Sequence, residues 1–144
     1  MRRALIVVVP LVVAAGLPLL VVTLPDSGAP GSERAPRVLS PRTVSAGPIE
    51  VTVAPVSVEG REAVFEVAFD THSVELDLDV AGASSLEVGG IAWAPGTWEG
   101  DGPGGHHRAG RLSFAPGGPV SGDAHLTIRE LPAPVHLQWM LGGG

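Results

Sequence analysis

All five histidines of this chain, His72, His106, His107, His125 and His136, fall between residues 72 and 136 of 144. A neutral imidazole nitrogen is a ligand for copper, zinc or nickel, and it titrates near neutral pH. His106 and His107 are adjacent in a glycine-rich stretch, Trp98-Glu-Gly-Asp-Gly-Pro-Gly-Gly-His-His-Arg-Ala-Gly110. So much glycine lets the backbone bend sharply or approach a ligand closely. With Asp70 and His72 added, the set Asp70, His72, His106 and His107 is a candidate nitrogen and oxygen site for copper or zinc. The competing reading is a structural loop in which one imidazole caps backbone groups and the other is solvated. The segment Asp70-Thr71-His72-Ser73 carries the same ambiguity. Asp70 could orient His72, as carboxylates do behind metal ligands, or these side chains could bond to nearby amides where a strand bends. Ser73 beside His72 makes no triad, because neighbours on a strand point to opposite faces.

Other chemistry is excluded or thinly supported. There is no cysteine, which removes disulfides, thiolate catalysis and Cys-ligated zinc or iron-sulfur centres. No Gly-x-Ser-x-Gly, phosphate loop or His-Glu-x-x-His is present, so no enzyme activity is expected. The row Glu75, Asp77, Asp79 lacks the glycine and spacing of an EF-hand loop and reads as a solvated strand face. Of the three tryptophans, Trp93 and Trp139 read as core or edge residues, and Trp98 in the glycine-rich loop is the one placed to contact a partner.

The elements that must position these residues divide the chain in three. Behind Arg2 and Arg3, residues 4 to 24 form an apolar run without a charge, about 31 Å long as a helix and enough to span a bilayer. Residues 1–24 are thus expected to be a transmembrane anchor with the arginines inside and the rest of the chain outside, or alternatively a signal peptide that is cleaved, giving a secreted protein. Residues 25–47, rich in Pro, Gly and Ser, read as a disordered linker. From Pro48 onward the apolar period becomes two: Ile49, Val51, Val53; Ala63, Phe65, Val67, Phe69; Val74, Leu76, Leu78, Val80. Leu86 to Trp93 reads as a hairpin around Gly89-Gly90, and more strands are expected at 111–114, 124–129 and 135–140. Residues 48–144 are therefore predicted to be an all-β, antiparallel two-sheet sandwich like immunoglobulin or fibronectin type III domains.

In the final hairpin, pairing Glu130 with Val135 sets Ile128 against Leu137, Leu126 against Trp139 and Ala124 against Leu141, all inward. The outer face would then carry Arg129 beside His136, Thr127 beside Gln138 and His125 beside Met140, the last a two-ligand candidate for soft copper.

Three segments, DTHSVELDLD (70–79), W-E-G…G-G-H-H-R-x-G-x-L-x-F (98–114) and LTIR (126–129) before a terminal Q-W-M-L strand, resemble a set of small exported bacterial and archaeal β-domain proteins. In those the pattern begins with Asn where this chain has Asp70. The resemblance implies no activity, but it implies that His72, His106 and His107 act together, with the 70–73 segment and the glycine-rich loop meeting in space. Residues 48–144 hold four arginines against thirteen carboxylates, a net charge of −9, which argues against nucleic acid as a partner. The expected function is a membrane-anchored extracytoplasmic binding domain with a histidine site for copper or zinc. The alternative is a structural or protein-interaction module of a cell-envelope complex with no ligand.

Overall fold

The computed structural model describes residues 39–142. The apolar run of residues 4 to 24, and the linker as far as residue 38, lie outside the described residues. Among the described residues no helix is long and apolar enough to cross a membrane.

Strand formation follows the alternation. In β2 (Ile49–Val58) and β3 (Ala63–Thr71) the residues Ile49, Val51, Val53, Ala63, Phe65, Val67 and Phe69 are buried, while Glu50, Glu66 and Asp70 face solvent. The end of the stretch expected to be linker is ordered as a strand. Arg42–Ala46 forms β1, with Val44 opposite Val51 and Ala46 opposite Ile49. A stretch rich in Pro and Ser looks structureless on average, yet two alternating apolar positions suffice once a finished neighbour offers its edge.

Residues 74 to 80 also depart from expectation. Leu76, Leu78 and Val80 are buried as the alternation requires, but the segment belongs to neither sheet. It runs extended beside the glycine-rich loop, with Leu76 N–H donating to Gly105 O at 2.9 Å and Gly104 N–H to Leu76 O at 2.8 Å. It ends in a single helical turn, α1 (Val80–Ala83), where Asp79 Oδ1 accepts from Gly82 N–H.

The hairpin of β4 (Ser84–Val88) and β5 (Ile91–Ala92) turns through Gly89 and Gly90 at φ 58° and 80°. Both values are the left-handed conformation that a primed turn needs and that glycine adopts without strain. The chain then forms β6 (Thr97–Gly100), β7 (His107–Phe114), β8 (Asp123–Ile128) and β9 (Val135–Met140). All pairings are antiparallel, in two sheets ordered β1-β2-β3-β7-β6 and β5-β4-β8-β9. One core lies between them. Phe65 of the first sheet meets Trp139 of the second with ring centroids 5.5 Å apart, and packs edge-on to Phe114 at 6.2 Å. Trp139 also donates its indole N–H to Ser40 O at 2.9 Å, with Arg42 over its ring.

The final hairpin keeps the expected inward set but slides by two residues. Ile128 faces Val135, Leu126 faces Leu137 and Ala124 faces Trp139, so Thr127 lies beside His136, His125 beside Gln138 and Asp123 beside Met140. A shift of two leaves every side chain on its face, so burial cannot distinguish the registers. The turn decides. Arg129 to Pro134 all lie outside the ladder, Glu130 adopts φ 61°, and Arg129 N–H is taken by Ala83 O at 2.8 Å. His125 and Met140 are therefore not partners.

Candidate functional site

The site is built where β3 and β7 end side by side. The ladder sets Asp70 opposite His107, and Asp70 Oδ1 lies 2.5 Å from His107 Nδ1. Both side chains are more than half exposed. Beyond this pair the backbone continues the contact, with Thr71 N–H donating to His106 O at 2.9 Å. The 70–73 segment and the glycine-rich loop thus meet, and the carboxylate orients His107, not its near neighbour His72. His72 and His106 are exposed on the adjoining turns. Among the described residues no three His, Asp or Glu side chains are gathered as a metal site.

Asp70 acts on His107 electrostatically as well. The hydrogen bond to its carboxylate raises the imidazole pKa above the ordinary 6.5, its negative charge adds to the effect, partial desolvation opposes it, and Asp101 contributes a further upward push. A His whose pKa is raised on folding adds stability that is fully present below pH 6.5 and disappears as the pH climbs through the folded value. In an NMR titration, the His107 ring protons should therefore show a midpoint above 6.5 in the wild type. In Asp70→Asn that midpoint should move down toward 6.5, and the pH dependence of stability above 6.5 should flatten. An unchanged midpoint would show that the pair does not persist in solution.

The glycine-rich loop is fastened along most of its length. Asp101 N–H donates to Ala109 O, and Asp101 Oδ2 accepts from Ala109 N–H at 2.9 Å. Trp98 Nε1–H donates to Asp101 O at 3.0 Å. Trp98 is half-buried on β6 and not free in its loop. It packs against the core, edge-on to Phe69, and its ring lies so close to Gly110 that a Cβ there would come within 2.6 Å of Cζ2. Gly110 is required for that closeness.

Sequence reasoning missed the residue that organises this region. Arg108 is buried at 2% exposure, and its guanidinium donates from Nη1 to Leu76 O at 3.1 Å and Leu78 O at 2.8 Å, and from Nη2 to Asp101 O at 3.2 Å. It also lies 5.8 Å from the centre of the Trp98 ring. One planar fork with several donors therefore ties the extended 74–80 segment to the glycine-rich loop. The signal was present in the alternation: Phe114, Leu112 and Gly110 face inward, and two residues further back the same parity reaches Arg108.

On the outer face of the first sheet, Thr52, Ala68 and Ala109 form a row of small residues with Ala54, Glu66 and Arg111 in the next row. They line a shallow groove of about 500 Å³, and Arg111 reaches Glu66 across it at 3.6 Å. Exposed pairs of this kind add little to stability. No protein-family model, curated protein or solved structure matches the chain.

Proposed function

We propose that the chain carries an immunoglobulin-like interaction domain displayed on the outer side of a membrane, held by its N-terminal apolar segment, as a module of a cell-envelope complex. The observation that carries this reading is the strand order. Taken in chain order, β2 to β9 occupy the places of strands A, B, C, C′, D, E, F and G: β2-β3-β7-β6 corresponds to A-B-E-D, and β5-β4-β8-β9 to C′-C-F-G. This is the Greek key of domains that serve widely as extracellular binding modules. The charge of residues 2 and 3, the uncharged run behind them, and the resemblance to exported proteins support the same placement.

A second reading, copper or zinc at His107 with His72 and His106 completing the set, is favoured by one feature. Asp70 occupies Nδ1 and leaves Nε2 to the solvent side, the arrangement in which a carboxylate orients a metal-ligating imidazole.

Two measurements on the full chain decide between them. External protease added to intact cells should remove the domain, and protection would overturn the display reading. Calorimetric titration with copper and zinc in detergent should give the same heat for the wild type and for the His72→Ala, His106→Ala, His107→Ala triple variant. Heat lost in the variant would replace the interaction reading by the metal site.

A further inference from the structure

Of the six aspartates in the chain, Asp101 is the one followed by glycine, and there is no asparagine. In a flexible chain, an aspartate before glycine is where the backbone rearranges most readily. The Gly102 nitrogen attacks Asp101 Cγ, a new C–N bond closes a five-membered succinimide, and a carboxyl oxygen leaves as water with the amide hydrogen and one proton. Water then opens the ring. Opening at the Cγ carbonyl restores aspartate, whereas opening at the former main-chain carbonyl gives isoaspartate, whose backbone runs through Cβ and Cγ and is one atom longer. Glycine permits the closure because no Cβ obstructs the approach of its nitrogen.

The folded domain holds Asp101 against that closure. Its N–H donates to Ala109 O at 3.0 Å, and its Oδ2 accepts from Ala109 N–H at 2.9 Å. Its main-chain oxygen accepts from Trp98 Nε1–H at 3.0 Å and from Arg108 Nη2 at 3.2 Å. Closing the ring requires rotation about χ1 and ψ of Asp101, which carries the carboxylate off Ala109 and the carbonyl off Trp98 and Arg108 together. Arg108 cannot follow, because it is buried and bound to Leu76 O and Leu78 O. Both Asp101 and Gly102 are exposed, so these bonds, and not exclusion of water, are what protect the linkage. The glycine adds nothing comparable to the fold. A Cβ at Gly102 would meet nothing within 4 Å, and its φ lies outside the left-handed region.

We propose that Asp101–Gly102 is a latent isomerisation site, held closed in the native domain by Ala109, Trp98 and Arg108 and released when the chain unfolds. A chain left unfolded is then altered chemically in the loop that must be fastened again on refolding. In the isoaspartate form, the oxygen that receives Trp98 and Arg108 belongs to a free carboxylate on a branch, and the former side-chain carboxyl is part of the main chain. These partners are not all regained on a backbone longer by one atom, so the domain that returns is less stable. The inference is independent of what the domain binds.

The test is to warm the full chain in detergent at neutral pH, with and without guanidinium chloride, locating isoaspartate by peptide mapping and counting it by enzymatic methylation. The unfolded chain should form isoaspartate at residue 101 about a hundredfold or more faster than the native chain, because modification follows the population of the open state. Arg108→Met should raise the native rate by about tenfold or more. Trp98→Phe, which keeps a ring and removes the N–H, should raise it less. In guanidinium chloride both variants should match the wild type, which separates the clamp from the intrinsic reactivity of the bond. Gly102→Ala should give the circular dichroism of the wild type and almost no isoaspartate in either condition. Isoaspartate chain returned to native conditions should melt below the unmodified chain. Equal rates with and without guanidinium chloride would overturn the proposal, and so would a native rate unmoved by both Arg108→Met and Trp98→Phe. Isoaspartate that persists in unfolded Gly102→Ala would place the reaction at another aspartate and overturn it as well.

Discussion

Arg108→Met should lower the stability of the domain by about 2 kcal/mol, since a buried acceptor left without a donor costs roughly 1–3 kcal/mol and further bonds to the charged guanidinium are lost with it. Leu78 O has this guanidinium as its donor, whereas Leu76 O also accepts from Gly104 N–H and Asp101 O from Trp98 Nε1–H, so those two each lose one of two bonds. Methionine fills much of the volume, so the loss reports the hydrogen bonds more than a cavity. Removing the buried charge offsets part of the cost, which keeps the expectation below the sum of the three lost bonds. Arg108→Lys should recover less than half, because a single ammonium cannot span carbonyls on two separate segments as a planar fork does. A fall in Tm of about 8–16 °C follows for a domain of this size. Hydrogen exchange would localise the effect, with the Leu76 and Gly104 amides losing protection first. A loss under about 1 kcal/mol would mean that water satisfies the Leu78 carbonyl equally well.

The second large effect is expected at the centre of the core. Trp139→Ala should cost about 3–5 kcal/mol, because the indole fills the space between the sheets and its removal leaves a cavity that a two-sheet core collapses into only partially. The ring meets Phe65, and its N–H is the donor to Ser40 O. Trp139→Phe should therefore separate the two contributions, keeping most of the ring contact and losing about 1 kcal/mol with the hydrogen bond. Leu126→Ala, fully buried on β8, should fall in the range of about 2–5 kcal/mol. Thr127→Ala on the opposite face should change stability by no more than about 0.5 kcal/mol. Chemical denaturation gives all four values. An inverted ranking of Leu126 and Thr127 would mean that β8 presents its other face to the core.

The same strands show which information a sequence carries and which it does not. Parity was legible in β2, β3, β8 and β9, because burying one face forces apolar residues to every second position. Pairing was not, because a two-residue slide of β9 along β8 preserves parity, and the turn from Arg129 to Pro134 sets the register. Residues 74 to 80 have the alternation of a strand, but a ladder needs a neighbouring strand on at least one side. Here the neighbours are a loop and an arginine side chain. β1 was hidden by the Pro and Ser around it. At the candidate site, the meeting of the 70–73 segment with the glycine-rich loop followed from the resemblance alone. That Asp70 would choose His107 over His72 depends on the β3–β7 register, which no local pattern encodes. Arg108 was overlooked because a charged residue in a glycine-rich stretch is ordinarily solvated, and only the alternation continued back from Phe114 and Leu112 contradicts that.

The bond from Trp139 to Ser40 joins residues 99 positions apart, and the chain passes between the sheets three times along the way, after β3, β5 and β7. Neither sheet can close early: the first waits for β7 to pair with β3, and the second waits for β8 to bridge β4 and β9. Loop entropy must be overcome before these distant contacts return any stability, so formation of the native state should be slow, roughly milliseconds to seconds, and cooperative. A chain interrupted before residue 139 lacks the indole that joins the two layers. Such a partly synthesised polypeptide should lack the native core, with the domain expected to assemble only once its last strand is available.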